Sequence, residues 1–199
     1  MASPRSTLHT IVALVEDRPG VLNRVASLFR RRGFNIESLA VGHSEVPGVS
    51  RMTIVVDGAN TVVDQVEKQL FKLIDVIRVD DITFRPSVAR ELALVKVACD
   101  FQTRNDIIQI AGVFRADVVD VSDTAVVIQI TGEEDKVDAF VLLMQPYEVL
   151  EMVRTGRVAL TRGEETTTVE DENVEPDKVR EFHSHAGRRP RGALPFASD

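Results

Sequence analysis

The sequence contains no tryptophan and a single cysteine, Cys99, in 199 residues. One cysteine cannot close an intramolecular disulfide, and a reducing, cytoplasmic setting is expected. No long apolar run is present, so no membrane span is expected. The N-terminal MASPRST is short and polar and lacks the apolar core of a secretion signal. Positive charge is also short: the formal net charge is -7. Phosphate backbones are bound by basic surfaces, so nucleic acid is not the expected partner. What is plentiful is apolar: 44% of residues, with valine and isoleucine prominent. That suffices for real cores, and β-branched richness favours sheet-containing folds.

Periodicity divides the chain into three regions. In residues 8–84, LHTIVALVE has strand length and leads through Asp17-Arg18-Pro19-Gly20 into VLNRVASLFRRR. There Val21, Leu22, Val25, Leu28 and Phe29 recur at helical spacing, and Gly33 supplies a terminator. FNIESLAVGHSE and VSRMTIVVD predict two strands joined by the turn Val46-Pro47-Gly48. TVVDQVEKQLFKLID predicts a helix with Val62, Val63, Val66, Leu70, Leu73 and Ile74 on one stripe and Glu67, Lys68 and Lys72 outside it. VIRVDDITF predicts a closing strand. The order βαββαβ is the ferredoxin-like split motif. Residues 88–163 repeat it less clearly. ELALVKVAC, ADVVDVSD, AVVIQITG and VLEMVRTGRVAL read as strands, and NDIIQIAGVF and DKVDAFVLLMQ as helices. Arg85-Pro86-Ser87 is the natural linker. The fold class is therefore α+β, with two ferredoxin-like units. Residues 164–199, rich in Glu, Thr, Pro and Gly, show no sustained period, and disorder is the expectation, with at most a weak helix at Asp177–Phe182.

Catalytic constellations are scarce. Histidine occurs at His9, His43, His183 and His185, and His183-Ser184-His185 alone does not complete a zinc site. Cys99 ends an apolar strand, where a thiol is usually a small buried hydrophobe. Neither a Gly-Lys-Ser phosphate loop nor a Gly-x-Gly-x-x-Gly pattern is present. Ferredoxin-like folds do include small hydrolases, so fold alone does not decide the matter.

The first strand-to-helix turn is the informative place. The start of a helix has unpaired N–H groups and partial positive charge, suited to a small anion. Gly20 lets a ligand carboxylate come close to the backbone, and Asp17 can accept from an ammonium group, so the two match the ends of a free amino acid. The plainer alternative is that Asp17 caps the helix and Gly20 eases the turn. Asn35, at the start of the next strand, offers a donor and an acceptor. It lies on the face opposite Phe34 and Ile36, and its plainer role is to satisfy turn backbone. Arg30-Arg31-Arg32 complements the helix dipole.

The blocks GVLNRVASLFRRRGFNIESLAVG, SRMTIVVDG and QVEKQLFKLIDVIRV, in that order, resemble the small-subunit family of acetolactate synthase. ELALVKVA, Asp117 to Val121 and KVDAFVLLMQPYEVLEMVRTGRVALTRG resemble its second domain, so the likeness spans residues 8–163. The resemblance implies an amino-acid-sensing ACT domain at 8–84, a degenerate ACT-like domain at 88–163, and no catalytic role for this chain. It further implies a homodimer through the ACT domains, with valine or a related branched-chain amino acid at the seam. Carried onto this sequence, the valine contacts are Asp17, Gly20, Asn35 and Ile36. The family often has Asn where this chain has Asp17; a carboxylate there attracts an ammonium group and repels a carboxylate. The implied partner is the large catalytic subunit, which joins two pyruvates, or pyruvate and 2-oxobutyrate. Thiamine diphosphate, FAD and magnesium are expected on that partner and none on this chain. The alternative is a free-standing ACT-type sensor controlling another metabolic enzyme.

Overall fold

The computed structural model describes residues 8–58 and 60–168. His183-Ser184-His185, the weak helix at Asp177–Phe182 and the tail beyond residue 168 lie outside the described residues.

The first module runs β1 (Leu8–Glu16), α1 (Val21–Arg32), β2 (Ile36–His43), β3 (Val49–Asp57), α2 (Asn60–Leu70) and β4 (Val76–Asp81). Its antiparallel sheet has the order β2-β3-β1-β4, which leaves β2 and β4 at the edges. The hairpin between β2 and β3 turns at Gly48, φ +79°, and the Ser44 N–H donates to the Val49 carbonyl. α1 stops at Gly33 (φ +69°), whose N–H turns back to the carbonyls of Arg30 and Phe29, as a left-handed C-terminal residue should. One sheet face carries Ile11, Ala13, Val15, Met52, Ile54 and Val56 against Val21, Val25, Phe29, Val63, Val66 and Leu70 of the helices. Full burial of each of these side chains other than Ala13 contributes about 1.5–3 kcal/mol.

The second module runs β5 (Ser87–Ala98), α3 (Thr103–Val113), β6 (Asp117–Val121), β7 (Ala125–Gly132), α4 (Glu134–Met144), β8 (Val149–Arg154) and β9 (Val158–Thr161), with a 3-10 turn at Gln145–Tyr147. Its sheet order, β6-β7-β5-β8, repeats the first. Val95, Val97, Ile128 and Ile130 pack on Ile107, Ala111, Phe140 and Met144, and the free Cys99 is buried beside them.

Two expectations need correction. VLEMVRTGRVAL is two strands, because Gly156, at φ +75°, breaks the run. β9 leaves the second sheet and pairs with residues Ser87–Arg90, the first third of β5. That two-stranded ribbon lies across the outer face of the first sheet, where Ala159 and Ala89 pack with Val12 and Ile82. The second correction is α2, which ends at Leu70. Beyond it the chain turns, and Ile74 is 90% exposed rather than on the apolar stripe. Glu67, assigned to the outside, is half-buried, and its Oε1 accepts the Asp81 N–H at 2.7 Å.

Residues 164–168 continue from β9 along the first module. Arg51 donates to the carbonyl oxygens of Ala159 (3.0 Å) and Thr167 (3.3 Å), and Arg78 donates to that of Thr168 (2.8 Å).

Candidate functional site

Gly20 occupies the N-cap of α1 at φ +87°, in the left-handed region, and no side chain caps the helix. In the first turn of α1 the Val21 N–H turns back to the Arg18 carbonyl at 3.4 Å, and those of Leu22 and Asn23 have neither an intrahelical partner nor a side-chain one. The capping role weighed for Asp17 does not hold: its Oδ2 lies 3.0 Å from His43 Nδ1 at the end of β2. The Asp17 N–H donates to the Gly48 carbonyl at 2.8 Å, which fixes the turn against the β2–β3 hairpin. Arg24, one helical turn on, brackets Gly20 from the other side; a Cβ built on Gly20 would lie 3.5 Å from its Nη1.

Asn35 and Ile36 sit at the other end of the same module. Ile36 pairs with Val56, whereas His43 pairs with Ser50. α1, 12 residues long, separates Gly20 from Asn35 by roughly 18 Å at 1.5 Å per residue. Within one chain the four candidate residues thus form two pairs, Asp17 with Gly20 and Asn35 with Ile36, at opposite ends of edge strand β2. Ile36 packs against the first core beside Phe34. The Asn35 amide does not serve the turn backbone; Nδ2 donates to the Glu37 carboxylate in a short contact. A β-bulge between Ile36 and Ser38 accommodates Glu37.

Edge strand β2 is largely uncovered. Val41 is 47% exposed and Leu160 of β9 is 61% exposed, and both line an apolar groove of about 380 Å³ with Ala40, Gly42 and Val158.

Other polar groups proved structural. His9 is 1% exposed, with Nδ1 3.0 Å from Asp81 Oδ2 and its ring edge-on to Phe84. Burial pushes the Glu67 carboxyl above the usual glutamate value, reinforced by neighbouring Asp81, Asp64 and Asp80 and opposed by the Asp81 N–H. Among the described residues no three His, Cys, Asp or Glu side chains gather as a metal site, and no helix is long and apolar enough to cross a membrane. Sequence reasoning missed Arg24 and Asp75, which brace the start of α1, and Ser38 and Arg157, which join β2 to the second module. Only Gly156, next to Arg157, carried a local signal.

Comparison with known proteins gives the family. Residues 11–78 match the AHAS small subunit-like ACT domain, and residues 90–163 match the family described as small subunit of acetolactate synthase. A probable acetolactate synthase small subunit of Archaeoglobus fulgidus is 56% identical over 155 residues, 78% of this chain and 97% of that protein. The acetolactate synthase small subunit of Mycobacterium bovis is 48% identical over 161 residues, 81% of this chain and 95% of that protein. The crystal structure of the small subunit from Thermotoga maritima superposes with a TM-score of 0.75 at 42% identity, covering 80% of this chain and 99% of that one. Tandem ferredoxin-like modules, the first of them an ACT domain, define a regulatory protein of the ACT type. Within that class, the chain belongs to the acetolactate synthase small-subunit family.

Proposed function

We propose that this chain is the regulatory subunit of acetolactate synthase, that two copies pair through β2, and that valine binds at the seam to inhibit a catalytic subunit the chain otherwise activates. The observation that carries this is the split site. Asp17 and Gly20 lie at one end of an uncovered edge strand and Asn35 and Ile36 at the other. Antiparallel pairing of two β2 strands, centred between Leu39 and Ala40, sets Ile36 opposite His43 of the partner subunit, beside that chain's Asp17 and Gly20. Two equivalent sites then form about the two-fold axis, as an isologous interface requires. Edge strands offer unpaired backbone groups for such a join, and the apolar groove along Val41 and Leu160 gives it an area to bury.

The chemistry of each group fits a free amino acid. The uncapped start of α1 receives the carboxylate, and absence of a side chain at Gly20 lets it approach. Asp17 accepts from the ammonium group, which takes the place His43 holds in this structure. The Asn35 amide turns from Glu37 to the ligand, and Ile36 offers an apolar wall to a branched side chain.

Inhibition requires that valine bind one conformation better than the other, and the coupling is reciprocal at the level of binding. A coupling of about 1–3 kcal/mol changes partner binding roughly 5- to 150-fold. The chemistry, with thiamine diphosphate, FAD and magnesium, belongs to the catalytic subunit, in a cytoplasmic setting. Titration of purified catalytic subunit with this chain, with and without valine, is the test. Activation that saturates and then falls on adding valine is expected; absence of activation at saturating chain overturns the proposal.

A further inference from the structure

The edge strand that carries Asn35 touches the second module at a narrow joint. The link between β8 and β9, residues 155–157, passes over the start of β2. Gly156 is held at φ +75°, and a Cβ on it would collide with Ser38 Oγ. The Arg157 N–H donates to the same Ser38 Oγ at 3.0 Å. The Arg157 guanidinium then divides: Nη1 donates to Thr10 Oγ1 of β1 at 2.9 Å, and Nη2 pairs with Glu134 in the first turn of α4. One residue thereby grips β1, β2 and the opening of a helix in the other module.

On the ligand side the contacts are equally close. Ser38 stands across the bulge from Ile36, and Glu37, the residue in the bulge, is held by Asn35 Nδ2. An amide that turns to a ligand carboxylate releases Glu37. A bulge is the point where a strand's register can give, so freeing Glu37 lets Ser38 move. Beside the joint lies an open cleft of about 440 Å³, lined in part by Glu37, Ser38, Glu134 and Arg157, so a displaced Ser38 does not meet close-packed protein on that side.

We propose that Ser38 and Arg157 are the positioning residues through which occupancy at Asn35 resets α4, the route by which the first module's ligand reaches the second. The inference rests on the valine seam proposed above. The two arms of Arg157 make the coupling two-sided: a shift of Ser38 pulls on its backbone N–H, while Thr10 anchors the guanidinium and Glu134 receives the motion.

The test uses enzyme reconstituted from catalytic subunit and full-length chain. Chains carrying Ser38→Ala or Arg157→Ala are expected to bind valine by calorimetry within about two-fold of the parent and to activate normally. The ratio of activity without valine to activity at saturating valine should fall about five-fold or more, the scale of an ordinary allosteric coupling. Arg157→Lys, which keeps a charge for Glu134, should recover part of the response. Hydrogen exchange in the first turn of α4 should change on valine addition in the parent and not in Arg157→Ala. Inhibition at saturating valine unchanged in both alanine variants, with valine still bound, overturns the joint alone. A parent chain that binds no valine overturns the seam instead.

Discussion

Arg24 holds Asp75 through both Nε and Nη2, at 2.6 and 2.7 Å, and so ties the first turn of α1 to the loop that enters β4. The Asp75 carbonyl also accepts the Glu16 N–H at 2.8 Å. Asp75 therefore braces both the end of β1 and the helix start beside Gly20. Asp75 is 6% exposed, and removal of its partner leaves a buried carboxylate without its counter-charge. Arg24→Ala should cost about 2–3 kcal/mol, below the range for a fully buried pair because Arg24 is half-exposed. Urea denaturation checks this, and Arg24→Lys, lacking the fork, should recover only part of the loss.

Gly20→Asp should abolish valine binding while activation survives. The new carboxylate repels the ligand's, and it stands within reach of Arg24, where it competes with Asp75. The left-handed φ adds a stability cost of about 1–2 kcal/mol. Calorimetry with valine and an activation titration, run on the same preparation, separate the two effects.

Val41→Lys places a charge on the uncovered edge of β2, a device by which edge strands resist pairing. The side chain is already half-exposed, so monomer stability should change by less than about 0.5 kcal/mol. Light scattering should show the chain's mass in solution halved, with valine binding lost in parallel. An unchanged mass rules out the β2 seam.

Glu67 makes a pH prediction. Its carboxyl titrates above the ordinary value because burial, with Asp81, Asp64 and Asp80 nearby, disfavours the charged form. The folded state then holds its proton more tightly than the unfolded state. This contribution is fully present below the ordinary glutamate range and is lost as pH rises through the raised value. Glu67→Gln keeps an acceptor for the Asp81 N–H and removes the charge. It should stabilise the chain at pH 7 by less than about 1 kcal/mol, since much of the group remains in solvent, and leave stability at pH 4 nearly unchanged. Thermal melts at both pH values check it.

Much of the first module was legible because its signals are local. The alternation in VSRMTIVVD yields β3 at Val49–Asp57, and the spacing of Val21, Val25, Leu28 and Phe29 yields α1 up to Gly33. The βαββαβ succession read from the sequence is the succession of elements observed. What escaped depends on contacts distant in sequence. The apolar spacing of Leu73 and Ile74 suits a helix as well as a turn, and the Leu73 N–H instead closes onto Leu70 in a tight turn. β9 has strand composition, but nothing local says that it pairs with Ser87–Arg90 rather than lengthening β8. Asp17, Gly20, Asn35 and Ile36, the proposed site, are named from the turn pattern and the family resemblance, while their separation along β2 follows only from the strand register. Arg24–Asp75 and Arg157–Thr10 join residues 51 and 147 positions apart, and no periodicity announces them.

The ribbon of β9 across the outer face of the first sheet has a consequence for biosynthesis. Val12, in β1, gains Ala159 as a packing partner only when β9 emerges from the ribosome. At 5–20 residues per second the interval is roughly seven to thirty seconds. Throughout it the nascent first module presents an apolar flank, on which a chaperone or a neighbouring nascent copy can settle before β9 arrives.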